Sequence, residues 1–148
     1  MNRTVYLNGD YLPETEAKVS IFDRGFLMAD GVYEVTSVLD GKLIDFAGHA
    51  KRLERSLDEL DMVSPVTMDE LLSIHRELVT RNGINEGLIY LQITRGAPAD
   101  RDFAFPARTL ANLDFRAQRH AEFLLEGRQL VTLSSRFFLA RTVVTVVC

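Results

Sequence analysis

The residues of this chain whose type and spacing could do chemistry are mostly arginines. Arg52 lies inside HAKRLERS, and Arg95 and Arg101 stand on either side of the start of GAPADRDFAFP. A guanidinium is flat, permanently charged and forked, which suits it to phosphate or carboxylate. Taken alone, Arg52 reads as a helix-surface charge paired with Glu54 or Asp58. Arg95 and Arg101 read as exposed loop charges, or as a pair that clamps a carboxylate beside a strand end. Tyr33 reads as a core strand aromatic, with a hydroxyl at a pocket rim as its functional alternative. Asp23-Arg24-Gly25 reads as a turn held by an ion pair. Of the three histidines, His75 falls on an apolar helical stripe and is expected buried and satisfied, His49 is expected to cap or orient at a helix start, and His120 in RAQRH is expected solvated. No two of them share metal-ligand spacing, and Cys148 is the one cysteine, so no metal site is expected. The glycine-rich phosphate loops and the Gly-x-Ser-x-Gly nucleophile turn do not occur in the sequence.

Several elements must position these groups. Asn8-Gly9-Asp10 between Thr4–Leu7 and Tyr11-Leu12 is a hairpin signal, because the central residues must tolerate positive φ. Val32 to Leu39 predicts a strand with Tyr33, Val35 and Ser37 on one face and Val32, Glu34, Thr36 and Val38 on the other. Asp40-Gly41 then turns into a partner strand, Leu43 to Phe46. Leucines at helical spacing predict a helix from His49 to Asp61, broken by Ser64-Pro65. Thr67 to Glu70 has the form of a capping box opening a second helix that stops at Gly83. Leu88 to Thr94 and Thr109 to Phe115 read as further strands. The order predicts an α+β fold, a mainly antiparallel sheet with two helices packed on one side. The long Pro-bearing loop from Gly96 to Pro106 follows a buried strand, a setting that favours function.

At 148 residues, 47% hydrophobic and 26% charged, the chain has the composition of one globular domain. A formal net charge of −4 argues against a nucleic-acid partner. The start of the chain reaches polar turn residues too soon for a secretory leader, and no run approaches ~20 apolar residues, so no membrane partner is expected and the cytoplasm is the expected compartment.

Three motifs, YLNGDYLPETEAKVSIFDRGFLMADGVYEV, GHAKRLERS and YLQITRGAPADRDFAFP, occur in order along most of the chain. Together they resemble the small N-terminal domain of the fold-type-IV pyridoxal-phosphate aminotransferases, most closely the D-amino-acid aminotransferase branch. The resemblance implies transamination between a D-alanine-type amino acid and a 2-oxo acid, with pyridoxal 5'-phosphate as cofactor and a homodimer as the assembly. It implies that Arg52 contacts the cofactor phosphate, that Tyr33 lines the cofactor and substrate cavity, and that Arg101 binds the substrate carboxylate. The family pattern has a histidine where this chain has Phe103, which cannot donate a hydrogen bond. Branched-chain aminotransferases and aminodeoxychorismate lyases are the neighbouring alternatives, and a non-catalytic binding or assembly module is the alternative of another class.

The resemblance further implies a small domain over 1–116, the start of a large domain over 117–133, and a divergent tail over 134–148. Transamination in the family needs a lysine that holds the cofactor. The family pattern places it near Val144, whereas the lysines here are Lys18, Lys42 and Lys51. No catalytic residue is therefore assigned, and the chain alone is expected not to turn over. A shift of reading frame near Leu133 is expected to account for the tail, SSRFFLARTVVTVVC.

Overall fold

The computed structural model describes residues 3–105 and, as a backbone strand, 112–119; His120, Cys148 and the tail fall outside the described residues. Strands β1 (Thr4–Leu7) and β2 (Asp10–Pro13) form the expected hairpin, with Asn8 at φ 49° and Gly9 at φ 112° supplying the left-handed turn. Strand β3 (Gly31–Leu39) has the expected two faces: Glu34, Thr36 and Val38 are buried, while Tyr33, Ser37 and Leu39 are exposed. Its partner β4 is only Lys42–Leu43, shorter than expected. Asp45 turns left-handed at φ 49° and its carboxylate accepts from the Gly48 N–H at 3.3 Å. This cap starts helix α2 (Phe46–Glu59) three residues before His49, because the side chain offers the backbone a helix start in place of another sheet pair.

Helix α3 (Met68–Asn82) opens on the expected capping box. The Glu70 N–H donates to Thr67 Oγ1 at 3.2 Å, and the Thr67 N–H donates to the Glu70 carboxylate at 2.8 Å. Strands β5 (Gly87–Thr94) and β6 (Asn112–Arg119) complete a sheet of order β2-β1-β6-β5-β3-β4, antiparallel at every pairing. Strand β6 runs past the expected Phe115 into RAQRH, read from sequence as a solvated basic patch.

Leu53 and Leu57 of α2 and Leu71, Ile74 and Leu78 of α3 meet Ile89, Leu91 and Ile93, the alternate residues of β5. Both long helices therefore cover one face of the sheet, as expected of the α+β reading. A third helix, absent from that reading, is α1 (Arg24–Met28). The Asp23 carboxylate accepts from the Gly25 N–H at 2.8 Å, and Ala29 at φ 56° ends the turn. Asp23-Arg24-Gly25 is thus a helix start.

Candidate active site

The N-terminal half of β3 pairs with β5 on one side, whereas β4 reaches only Val38 and Leu39 on the other. Among the described residues, the edge of β3 beside Tyr33 and Glu34 is consequently unpaired. Glu34 points to the helical face, its side chain only 4% exposed, and takes both Arg52 and His49. Arg52 donates from Nε to Oε1 at 2.7 Å and from Nη2 to Oε2 at 2.6 Å, a two-pronged pair. His49 Nδ1 lies 2.8 Å from Oε2. Burial opposes ionisation of Glu34, but the hydrogen bonds from Arg52 and His49 outweigh it and hold the carboxyl below its ordinary range. Glu34 in turn raises Arg52, through its hydrogen bonds and its charge.

This corrects the sequence expectation for Arg52, whose partner is Glu34 and not Glu54 or Asp58. A carboxylate across the helix–sheet interface competes better than a neighbour on the same helix, because burial has already fixed its geometry. Glu34 itself was the residue overlooked. The available signal was an acid at an inward position of an alternating strand, between Val32 and Thr36.

With its inner edge bound, Arg52 still presents 56% of its side chain to solvent, leaving outward N–H groups for an incoming oxyanion. Tyr33 projects to the opposite face of β3, 66% exposed, with its ring stacked on Tyr90 at 5.9 Å between centroids. It is therefore not the core aromatic of the simpler reading. Tyr33 and the Glu34–Arg52 pair thus lie on opposite faces of β3 beside its free edge.

A second cluster lies where β3 begins and β5 ends. Arg24 Nε donates to Asp30 at 2.6 Å, and Arg95 Nε donates to the same carboxylate at 2.9 and 3.1 Å. Burial opposes ionisation of Asp30, and the two arginines overcome it, lowering its pKa. Arg95 also donates to the Leu60 carbonyl at 2.8 Å, so it is committed to the scaffold and forms no carboxylate clamp with Arg101. Arg101 is exposed on the loop with its guanidinium 4.7 Å from the Phe103 ring centroid, and among the described residues it forms no ion pair. His75 is buried as expected. Its Nδ1 lies 2.8 Å from the Leu71 carbonyl and its ring meets Phe46 edge-on at 5.1 Å. Burial pushes its pKa down to about 4. Among the described residues, no group of acids, histidines and cysteines could hold a metal ion, and no helix is long and apolar enough to cross a membrane.

The site is thus an arginine fixed on its inner side by a buried glutamate, beside the unpaired edge of a one-sided α+β sheet. Residues 31–139 match the family model for class IV amino-transferases, and the chain belongs to that family. It is 42% identical over 102 residues to a D-alanine aminotransferase of Staphylococcus haemolyticus, covering 69% of this chain and 36% of that one. A D-alanine aminotransferase of Listeria monocytogenes serotype 4b (strain F2365) is 38% identical over the same length, 35% of that protein. The chain thus spans little more than a third of these relatives. In structure it resembles the branched-chain amino acid aminotransferase of Escherichia coli, with TM-score 0.73 and 19% identity over 80% of this chain and 41% of that one. The branched-chain aminotransferase of Thermoproteus uzoniensis with norvaline gives TM-score 0.69 and 26% identity, over 80% of this chain and 41% of that one.

Proposed function

We propose that this chain supplies the phosphate-holding part of a pyridoxal 5'-phosphate site in an aminotransferase acting on a D-alanine-type amino acid and a 2-oxo acid, assembled as a homodimer. The observation that carries the reading is the Glu34–Arg52 pair, with its inner edge locked and its outer edge open. Those outward N–H groups fit a phosphate dianion, since the guanidinium enters already oriented and loses little freedom on binding. Tyr33 would line the cofactor across the free edge of β3. Arg101, with no carboxylate partner among the described residues, would hold the substrate carboxylate. Bound there, the cofactor would act as the electron sink for proton removal at the substrate Cα.

The D-alanine assignment leans on the sequence relatives at 42% and 38% identity, ahead of the branched-chain enzymes, whose likeness is mainly one of fold. Lys18, Lys42 and Lys51 are all exposed. None takes part in the Glu34 or Asp30 clusters, which supports the absence of a cofactor-holding lysine from this chain and no turnover by the chain alone.

The test is equilibrium binding of pyridoxal phosphate and of pyridoxal, followed by absorbance. The chain should prefer the phosphorylated form by about tenfold or more, as charge-assisted hydrogen bonds to one guanidinium imply. Arg52→Gln should abolish the preference. Equal binding of both forms by the unaltered chain would refute the phosphate role of Arg52.

A further inference from the structure

The loop that carries Arg101 has no secondary structure of its own through Phe105, yet buried side chains hold it at both ends. At its start, the Arg24 N–H donates to the Gly96 carbonyl at 2.9 Å, and the Gly96 N–H donates to Thr94 Oγ1 at 3.2 Å. Thr94 Oγ1 donates in turn to Asp23 at 2.9 Å. Further along, Arg24 Nη1 donates to the carbonyls of Asp102 at 2.8 Å and Ala104 at 3.1 Å, on either side of Phe103. The Phe105 ring lies over both guanidiniums, 5.5 Å from that of Arg24 and 4.8 Å from that of Arg95.

Charge explains why the grip is mutual. Arg24 has a side chain only 4% exposed, and a cation so placed must be balanced or solvated by the protein. Asp30 supplies one negative charge to two arginines. Main-chain carbonyls and an aromatic face meet the remaining demand, and those that serve Arg24 belong to the loop. The loop conformation is therefore the one that completes the coordination of Arg24.

We propose that Arg24, set by Asp30, is a positioning residue for substrate-carboxylate recognition: it clamps the main chain on the C-terminal side of Arg101 and so fixes where that guanidinium stands. The inference rests on the reading of Arg101 as the carboxylate ligand. Arg24 touches no reacting group and acts through the loop. The fork of the guanidinium is essential, since Nε serves Asp30 while Nη1 serves the loop, and one ammonium cannot span both.

The test uses the whole chain with Arg24→Lys and Arg101→Gln, read by amide hydrogen exchange and by equilibrium binding of 2-oxoglutarate. Arg24→Lys should speed exchange in residues 97–105 by about tenfold, leave α3 unchanged, and weaken 2-oxoglutarate by a similar factor. Arg101→Gln should weaken 2-oxoglutarate while loop exchange stays at the level of the unaltered chain. If Arg24→Lys leaves loop exchange within about twofold, the clamp is overturned. If the unaltered chain binds no 2-oxoglutarate, or Arg101→Gln binds it equally well, the carboxylate reading fails and the positioning role fails with it, whatever loop exchange shows. Should Arg24→Lys lose α3 protection, Phe105→Ala replaces it, because that ring is 74% exposed and not part of the core. Loop exchange unchanged in Phe105→Ala, with α3 intact, likewise overturns the clamp.

Discussion

At the scale of single residues, Glu34 shows how a buried acid can serve a site it need not touch. Its carboxylate sits on the helical face of β3, beside the unpaired part of that strand, and fixes Arg52 from behind. Glu34→Gln replaces one of the two acceptor oxygens with a donor facing other donors. It should destabilise the fold by about 1–3 kcal/mol at neutral pH and weaken the preference for phosphorylated ligand. Because the folded pKa of Glu34 is lowered from an ordinary 4.5, its contribution is present above that value and is lost as pH falls through the folded one. The gap between variant and parent in urea melts should therefore close on acidification below about 4.5. A gap that persists at low pH would mean the two differ by packing and not by charge.

His75 works in a higher window. It stays neutral in the core, with its pKa pushed from 6.5 down to about 4, so between those values the unfolded chain binds a proton that the folded one refuses. Stability should fall by about 2 kcal/mol from pH 7.5 to pH 5 on this account, and His75→Leu should remove most of that slope.

At the scale of elements, what the sequence made legible and what it hid divide by the range of the forces involved. The capping box at Thr67, the turn at Asn8-Gly9 and the alternation of β3 are local rules, and all three stand where they were read. Helix α1 and the early start of α2 escaped because each depends on an aspartate cap, Asp23 or Asp45, in a stretch that also reads as turn or strand. The partners of Arg52 and Arg95 escaped for another reason. Spacing along one helix can nominate Glu54 or Asp58, but it cannot show that Glu34 is brought across from β3.

Gly31 shows the same long-range constraint in the backbone. A Cβ there would lie 2.7 Å from the Ile93 carbonyl oxygen and 3.1 Å from the Thr94 Cα, main-chain atoms that cannot swing aside. Gly31→Ala should push β3 off β5 beside Asp30 and destabilise the fold by about 1–3 kcal/mol. Thr67→Ala, at the start of α3, should cost about 1 kcal/mol from the lost cap. Thermal melts separate the two, because only Gly31→Ala should also speed amide exchange in the Arg101 loop.

At the scale of the whole molecule, two charged clusters stand side by side along the N-terminal half of β3. The Glu34 group presents Arg52 and the Asp30 group anchors the loop of Arg101, both built on β3 and its immediate flank. What neither cluster contains is an amine. A lysine that holds a cofactor and moves a proton must be fixed in the site, and Lys18, Lys42 and Lys51 are exposed side chains outside both groups. Lys51 comes nearest in sequence, one residue before Arg52, but successive helix positions are turned by about 100° and do not face the same way. Incubation with pyridoxal phosphate and borohydride should therefore label the three lysines partially and without preference, and Arg52→Gln should not change the pattern. Full labelling of a single lysine, lost in Arg52→Gln, would show that this segment carries its own amine and that the division between phosphate-holding and proton-moving residues has been drawn in the wrong place.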